Sequence, residues 1–232
     1  MAIEVFDTPG LLAQAVARRL AARVTEAVSA GRTPTVVLTG GTIAGKIYGE
    51  LAHDADWRAA EYWWGDERFV PEGHEDRNDR QAREGFLDRF EVPAEHVHAM
   101  PAHGCDQSMA EAADAYAETL PDDPFDVVLL GVGPDAHIAS LFPGHPQVTE
   151  TERRAVEVFD SPKPPPQRIS LTYPALNHTR ATWFVVSGED KAEAVAKAIG
   201  GAPVEQAPAA GARGLEETVW FLDRGAASRL SS

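Results

Sequence analysis

The sequence predicts an α/β fold with a mainly parallel, Rossmann-like twisted sheet and helices on both of its faces. Short runs of β-branched, leucine and aromatic residues alternate with helix-spaced segments along nearly the whole chain, as βαβ units require. The run at 125–130 is apolar at almost every position, which is typical of a strand buried on both faces. Several runs end in glycine, where the chain can turn into the next element.

The individual elements follow from local pattern. Apolar residues at helical spacing predict a first helix over 11–28, with Gly31 as its stop. Further strands are predicted at 36–38, 62–64, 125–130, 154–159, 169–171, 183–186 and 219–222, and helices at 42–51, within 76–89, at 109–120 and at 189–199. The proline-rich stretch 161–166 predicts a stiff extended loop. It is too short for a linker, so we expect one domain over 1–232.

Composition narrows the class of partner. The 232 residues carry a net charge of −15, which argues against nucleic acid or an anionic membrane surface as a partner. A single cysteine, Cys105, excludes an intramolecular disulfide and fits the reducing cytoplasm. The N-terminus lacks the pattern of a signal peptide, and no apolar run approaches the roughly 20 residues of a membrane span. We expect a cytoplasmic protein that acts on a small molecule, as a monomer or a small homo-oligomer.

The segment after the 125–130 strand is the most informative part of the chain. Gly131 and Gly133 break the strand, and Asp135 and His137 follow directly. Open α/β sheets place their active sites beyond the carboxyl ends of strands. His137 is therefore the first candidate for a catalytic base.

A second glycine turn lies at Gly40, Gly41 and Thr42, between a predicted strand and a predicted helix. Glycines allow a ligand to approach the backbone, and a helix N-terminus offers free amides to a phosphate. An ordinary tight turn between strand and helix explains the same pattern, and the local sequence does not separate these two interpretations.

Four charged residues outside these turns are further candidates. Asp66 and Arg68 follow a tryptophan-rich strand and either project into the same cleft as His137 or belong to the surface. Arg168 begins a predicted strand. Lys191 lies in the first turn of a predicted helix, where a cation opposes the helix dipole unless an anion sits nearby.

Two other patterns favour weaker alternatives. The segment 131–136 resembles the G-x-G-x-x-A dinucleotide fingerprint, but it lies past mid-chain and contains Pro134. Histidines and a cysteine cluster in a predicted loop, at His96, His98, His103 and Cys105. Their spacing matches no closed zinc site, and solvated loop side chains explain them as well.

Taken together, the motifs resemble those of the 6-phosphogluconolactonases, in the order of that family and over about residues 6–221. The segments that carry the resemblance are Leu-Thr-Gly-Gly-Thr at 38–42, Asp-Glu-Arg-Phe-Val-Pro at 66–71 with Asn78, Leu-Gly-Val-Gly-Pro-Asp-Ala-His at 130–137 with Ser-Leu-Phe-Pro at 140–143, Arg-Ile-Ser-Leu-Thr at 168–172 and Gly-Glu-Asp-Lys-Ala at 188–192. The resemblance implies a fold like that of glucosamine-6-phosphate deaminases.

The resemblance also implies a reaction and a set of roles. The substrate would be 6-phospho-D-glucono-1,5-lactone, hydrolysed to 6-phospho-D-gluconate in the oxidative pentose phosphate pathway without metal or organic cofactor. His137 would activate water, with Asp66, Arg68 and Asp135 as further catalytic residues. The phosphate would bind to Gly40, Gly41, Thr42, Arg168 and Lys191.

Two positions bear on this resemblance. Ala136 stands where the family has glycine, and a positive φ there would cost alanine on the order of 1 kcal/mol. Phe142 stands where the related glucosamine-6-phosphate isomerases and deaminases carry a glutamate that helps to open the sugar ring. Because phenylalanine cannot transfer a proton, Phe142 favours the lactonase over an aminosugar isomerase or deaminase. A sugar-phosphate sensor is a third alternative, but no basic helix-turn-helix pattern accompanies it.

Overall fold

The computed structural model describes residues 1–230, so the last two residues of the domain predicted over 1–232 lie outside it. Its strands are β1 (Ala2–Phe6), β2 (Thr35–Leu38), β3 (Glu61–Trp64), β4 (Asp66–Arg68), β5 (Phe125–Leu130), β6 (Ala155–Val158), β7 (Arg168–Leu171), β8 (Thr179–Val186) and β9 (Glu217–Asp223). Its α-helices are α1 (Pro9–Ser29), α2 (Thr42–Glu50), α3 (Asn78–Ala82), α4 (Met109–Glu118), α5 (Tyr173–Leu176) and α6 (Ala192–Ile199). A π-helical turn at Arg83–Leu87 continues α3.

Six parallel strands form the large sheet, in the order β1-β9-β8-β5-β2-β3. Alternation along β2 supplies both faces of the sheet: Val36 and Leu38 belong to one apolar cluster, with residues of α1 and α2, and Val37 belongs to the other, with residues of α4 and α6. Successive side chains of a strand point to opposite faces, and β2, β3, β5, β8 and β9 contribute residues to both clusters. The predicted α/β fold with helices on both faces of a mainly parallel sheet is confirmed.

The longest helix, α1, starts two residues before the predicted 11–28, at Pro9, and its predicted stop at Gly31 is confirmed. Thr8 accepts a hydrogen bond from the amide of Leu11 at 3.2 Å, and Pro9 occupies the first helical position. Gly31 adopts a φ of +71° just past the end, where a left-handed residue closes the last turn. Across residues 1–230, the structure contains no helix both long and apolar enough to cross a bilayer.

The strand order places a crevice between β2 and β5. From β2 the chain continues to β3 on one side, while β5 pairs with the other side of β2. Loops that leave two such strands diverge in opposite directions, and ligands bind in the gap between them. The amide of Gly131 after β5 lies 3.4 Å from the hydroxyl of Thr39 after β2. The two glycine turns of the sequence are therefore neighbours.

The structure differs from the predicted elements at several places, among them the additional helix α5 and the earlier start of β8 at Thr179. β1 was not predicted, because its short run is half exposed, and it pairs with β9 at the sheet edge. β4 is a strand of its own, in a small antiparallel sheet of order β4-β7-β6. The helix predicted over 189–199 starts as a 3₁₀ turn at Glu189–Lys191 and becomes α-helical at Ala192.

Candidate active site

A cavity of about 450 Å³ opens at the carboxyl ends of β2 and β5. Eight of the nine predicted site residues line it: Gly40, Gly41, Thr42, Asp66, Arg68, His137, Arg168 and Lys191. The ninth, Asp135, contacts the cavity wall through His137. The structure thus brings together residues that lie up to 151 positions apart, from Gly40 to Lys191.

His137 and Asp135 form a hydrogen-bonded pair. Nδ1 of His137 lies 2.5 Å from Oδ1 of Asp135, and the histidine side chain is only 13 % exposed. Burial acts to raise the pKa of Asp135, but the hydrogen bond and charge of His137 outweigh it and lower that pKa to about 2. Since an ionised carboxylate can only accept, Nδ1 donates the proton. Nε2 then carries the lone pair that can accept a proton from water.

The turn that holds His137 is closed by its own backbone. The amide of Gly133 donates to the carbonyl of His137 at 2.9 Å, and the amide of Ala136 donates to the carbonyl of Gly133 at 2.9 Å. A Cβ on Gly133 would lie 2.1 Å from both Nδ1 and Cε1 of His137. Glycine is therefore required at 133, because any side chain there would occupy the position of the imidazole.

The substitution of alanine for the family glycine at 136 falls on a left-handed residue. Ala136 has a φ of +66°, so the expected strain applies, at about 1–2 kcal/mol. Ala136 is 1 % exposed, and its carbonyl accepts the amide of Ala209 at 3.0 Å. The surrounding contacts hold the turn in the conformation that glycine would adopt freely.

Phe142 packs against the imidazole of the His137–Asp135 pair. Its ring centroid lies 4.6 Å from that of His137, and the residue is 1 % exposed. Among residues 1–230, Asp135 is the one carboxylate within 4.0 Å of a His137 ring nitrogen. The position of the deaminase glutamate is thus filled by an apolar ring against the imidazole.

Asp66 and Arg68 are held by a residue that the predicted site did not include. Asn78 donates through Nδ2 to the carbonyl of Asp66 at 2.9 Å, and Nη1 of Arg68 donates to its Oδ1. Ser140 donates to Oδ2 of Asp66 at 2.6 Å. A Cβ on Gly40 would lie 1.8 Å from Oδ1 of Asn78. The close approach of Asn78 therefore explains the glycine at 40.

Glu67 has a structural role that its sequence position did not reveal. It is 1 % exposed and accepts the amides of Arg68, Asn78 and Asp79 at 2.8, 2.8 and 2.9 Å. Burial raises its pKa to about 7, while Arg77 and the three amides oppose that shift. Glu67 caps α3 and joins it to β4, which fixes Asn78 beside Arg68. A helix start eleven residues downstream was the available signal, but it does not identify the cap.

Arg168 contributes chiefly to the walls of the site. Its Nε and Nη2 donate to the carbonyls of Pro165 and Lys163 at 3.2 and 3.1 Å, and Nη1 lies 3.6 Å from Oδ2 of Asp66. The guanidinium therefore fixes the proline-rich loop against β4 while it lines the cavity. Its contact with a phosphate stays a prediction.

Lys163 is a cavity residue that sequence reasoning missed. It lies within the proline-rich stretch 161–166, between Pro162 and Pro164, and lines the cavity together with Lys191. Burial lowers the pKa of Lys163, Asp135 opposes that shift, and the cations Lys191, Arg168 and Arg68 add to it. A lysine beside a rigid loop was the available signal. Lys191 itself pairs with Asp190 at 2.8 Å.

The Gly41 amide of the glycine turn after β2 is not free to bind an anion, because it already donates a hydrogen bond. Gly41 has a φ of +98°, its amide donates to Oε1 of Gln81 at 3.0 Å, and its carbonyl accepts Nε2 of Gln81 at 3.0 Å. The Gly41 amide is thus already engaged. A phosphate could bind that amide only after the Gln81 side chain has moved away. The phosphate contact at Gly41 stays a prediction.

The histidine and cysteine cluster does not assemble. His96 contacts the carbonyl of Arg58 at 2.7 Å, and His98 contacts Glu61 at 2.8 Å while stacking on Trp63. Within the described part of the chain, no three His, Cys, Asp or Glu side chains are grouped as metal ligands.

Residues 7–220 match the profile of the family described as glucosamine-6-phosphate isomerases/6-phosphogluconolactonase. The chain belongs to this family. A 6-phosphogluconolactonase of Streptomyces coelicolor is 48 % identical over 95 % of this chain and 91 % of its own length. The 6-phosphogluconolactonase of Mycobacterium tuberculosis is 45 % identical over 99 % of this chain and 98 % of its own length.

Solved structures of this family share the fold. The 6-phosphogluconolactonase of Trypanosoma brucei superposes with a TM-score of 0.82 at 28 % identity, covering 99 % of this chain and 98 % of its own. A monomeric glucosamine-6-phosphate deaminase superposes equally well, with a TM-score of 0.82 at 20 % identity, covering 98 % and 99 %. Because both activities of the family occur on this fold, residues at the site must separate them.

Proposed function

We propose that this chain hydrolyses 6-phospho-D-glucono-1,5-lactone to 6-phospho-D-gluconate. The observation that carries the proposal is the His137–Asp135 pair at 2.5 Å on the wall of a cavity that four cations also line. A histidine whose Nδ1 is held by a carboxylate is suited to general base catalysis. Cations in a protein of net charge −15 supply the local field that a phosphorylated substrate needs.

The proposed step is water attack on the lactone carbonyl. Nε2 of His137 accepts a proton from water as the water oxygen bonds to C1, which gives a tetrahedral oxyanion. Arg68 stabilises that negative charge, with Asn78 holding its guanidinium. The protonated imidazole then donates to the ring oxygen as the C1–O bond breaks, and the histidine returns to its starting form. The scheme uses no cofactor, since a lactone is an activated ester.

We assign the phosphate end of the substrate to the part of the cavity that Lys163 and Lys191 line. The hydroxyl-bearing Thr42 lines the same cavity. Arg168 adds a buried charge that Asp66 partly neutralises. Gly40 and Gly41 shape this wall, with the amide of Gly41 available once Gln81 moves. Fixing one end of the sugar would orient the carbonyl at the other end.

The alternative is an aminosugar-phosphate isomerase or deaminase, because the same fold carries that activity. The apolar contact of Phe142 with His137 speaks against it, since ring opening needs a second proton-transferring group at that place.

Both activities can be measured in one experiment on the purified protein. Acid release from freshly generated 6-phosphogluconolactone is followed against spontaneous hydrolysis, and ammonia release from glucosamine 6-phosphate is followed in parallel. We expect rapid acid release without ammonia. Lactone opening no faster than the uncatalysed rate would refute the proposal, and ammonia release would establish the alternative.

Lys163→Ala and Lys191→Ala are each expected to raise KM about tenfold and to change kcat by less than about threefold, because a lost charge-assisted contact weakens ground state and transition state alike. Lys197→Ala is the matched control, since Lys197 is exposed on α6 and pairs with Glu193. Steady-state kinetics of lactone hydrolysis check the prediction. Unchanged KM in both cavity variants would place the phosphate elsewhere.

Asp135→Asn is expected to lower kcat/KM for the lactone about 10- to 100-fold. With a pKa of about 2, Asp135 is anionic near neutral pH, where it holds the Nδ1 proton of His137 and would stabilise the imidazolium formed during the reaction. Asparagine keeps the shape of the side chain but removes this charge. Steady-state kinetics of lactone hydrolysis are the measurement, with the exposed Asp123→Asn as control. A kcat/KM within about twofold of wild type would contradict the assigned pair.

A further inference from the structure

A buried carboxylate lies behind the cavity, outside its lining. Asp223 is the last residue of β9 and is 5 % exposed. Both of its oxygens lie 3.1 Å from the amide of Gly188, and Oδ1 also accepts the amide of Ala226 at 2.7 Å. Its side-chain hydrogen bonds therefore go to two backbone turns, one of which leads to the cavity.

Asp223 has no cationic partner to offset its burial. Within residues 1–230, no Lys, Arg or His nitrogen lies within 4.0 Å of its carboxylate. A buried charge is costly unless it is paired or fully hydrogen-bonded. An asparagine would offer one uncharged acceptor oxygen where the carboxylate offers two charged ones. The negative charge therefore strengthens the hydrogen bonds that Asp223 accepts from the Gly188 and Ala226 amides.

The turn that Asp223 holds carries Lys191. Gly188 has a φ of +106°, and its carbonyl accepts the amide of Lys191 at 3.1 Å, which closes the 3₁₀ turn. Gly225 packs against the same turn, because a Cβ there would lie 2.9 Å from the amide nitrogen of Glu189. The turn is thus fixed by a hydrogen bond at its start and by close backbone packing beside it.

We propose that Asp223 is a positioning residue that holds the Gly188–Lys191 turn so that the Lys191 ammonium faces the phosphate end of the cavity. The inference rests on the proposed function, in which Lys191 binds the substrate phosphate. Asp223 touches no substrate and acts through the Gly188 amide. Its loss therefore changes how well a phosphorylated ligand binds, while the His137 end of the cavity keeps its geometry.

Asp223→Asn tests this assignment, because it keeps the shape and removes the charge and one acceptor. We expect KM for the lactone and Kd for 6-phosphogluconate to rise about tenfold, with kcat within about twofold. Asp126→Asn is the matched control: Asp126 is a 6 % exposed carboxylate that accepts the amide of Thr35 at 3.0 Å and pairs with Arg32. Both substitutions should lower the unfolding temperature, because each removes a buried charge that accepts backbone amides. The KM and Kd of Asp126→Asn should nevertheless equal those of the wild type.

The double variant with Lys191→Ala separates positioning from general destabilisation. In the Lys191→Ala background, Asp223→Asn should weaken 6-phosphogluconate binding by less than about twofold further, since the two changes act through one contact. Fully additive effects, or a fall in kcat with unchanged KM, would overturn the proposal. If Asp223→Asn does not fold, Gly225→Ala displaces the same turn and should raise Kd in the same direction.

The binding measurement also keeps this proposal distinct from the lactonase reaction. A protein that binds 6-phosphogluconate but fails to accelerate lactone opening would refute the proposed function, and the comparison of Asp223→Asn with the control would still decide the role of Asp223. A wild-type protein that binds neither 6-phosphogluconate nor inorganic phosphate would overturn the positioning role, because Lys191 would then have no phosphate to meet.

Discussion

Replacing His137 with alanine is expected to lower kcat for lactone hydrolysis by about 10²- to 10⁴-fold, which is the usual contribution of a general base. The imidazole is the group whose Nδ1 is fixed by Asp135 at 2.5 Å and whose Nε2 is left to take the proton from water. Alanine removes the proposed base without removing the four cations that line the cavity. Steady-state kinetics, corrected for spontaneous lactone opening, provide the measurement.

Binding separates loss of chemistry from loss of the fold. Kd for 6-phosphogluconate should stay within about threefold of wild type in His137→Ala, since the phosphate contacts remain. His145→Ala is the matched control, because His145 lies near the same Phe142 ring, at 5.6 Å between centroids, but is not a cavity residue. A near-normal kcat in His137→Ala would remove this histidine from the mechanism.

Adding one methyl group at Gly133 is expected to lower kcat by about 10²-fold or more, nearly as much as removing the imidazole itself. The new Cβ would lie 2.1 Å from Nδ1 and Cε1 of His137 and 2.5 Å from Oδ1 of Asp135. The ring must rotate away, and the hydrogen bond that sets its tautomer breaks. The same kinetic assay, with circular dichroism to verify the fold, tests this expectation.

Gly131→Ala provides the control for a methyl group in the same turn. A Cβ on Gly131 meets nothing closer than the Thr39 hydroxyl at 3.7 Å, which is an ordinary van der Waals contact. Its kcat should remain within about tenfold of wild type. Equal losses in both variants would mean that the turn tolerates no methyl group anywhere, and the specific clash with His137 would not be the cause.

Local sequence predicted the parts of the site that lie at strand ends. The glycine turns at 40–41 and 131–133 interrupt apolar runs, and such interruptions mark the carboxyl ends of parallel strands. His137 could be placed after the turn at 131–133, and Lys191 after the predicted strand at 183–186, from their positions along the chain alone. The cavity that they line is the expected result of the predicted α/β arrangement.

Residues that act across the fold could not be predicted in this way. Lys163 lies in the loop after β6, a strand outside the large parallel sheet, and it lines the cavity where Arg168 holds the proline-rich loop by its carbonyl groups. Glu67 caps a helix that begins at Asn78. The Gly41 amide looked free in sequence but is occupied by Gln81 from α3. Each of these contacts joins segments whose separation is set by packing and not by local pattern.

The α/β class, the order of the main strands and helices, and the candidate residues Asp135 and His137 could all be predicted from local pattern, because hydrophobic periodicity and glycine breaks are local properties. Three contacts could be seen only in the folded chain: Asp135 with Nδ1 of His137, Phe142 with that ring, and Asp223 with the Gly188 amide of the turn that carries Lys191. The Asp223 contact forms between segments that are distant in sequence. They become neighbours only when the strands pair into the sheet and the helices pack on both of its faces, so no single segment predicts it.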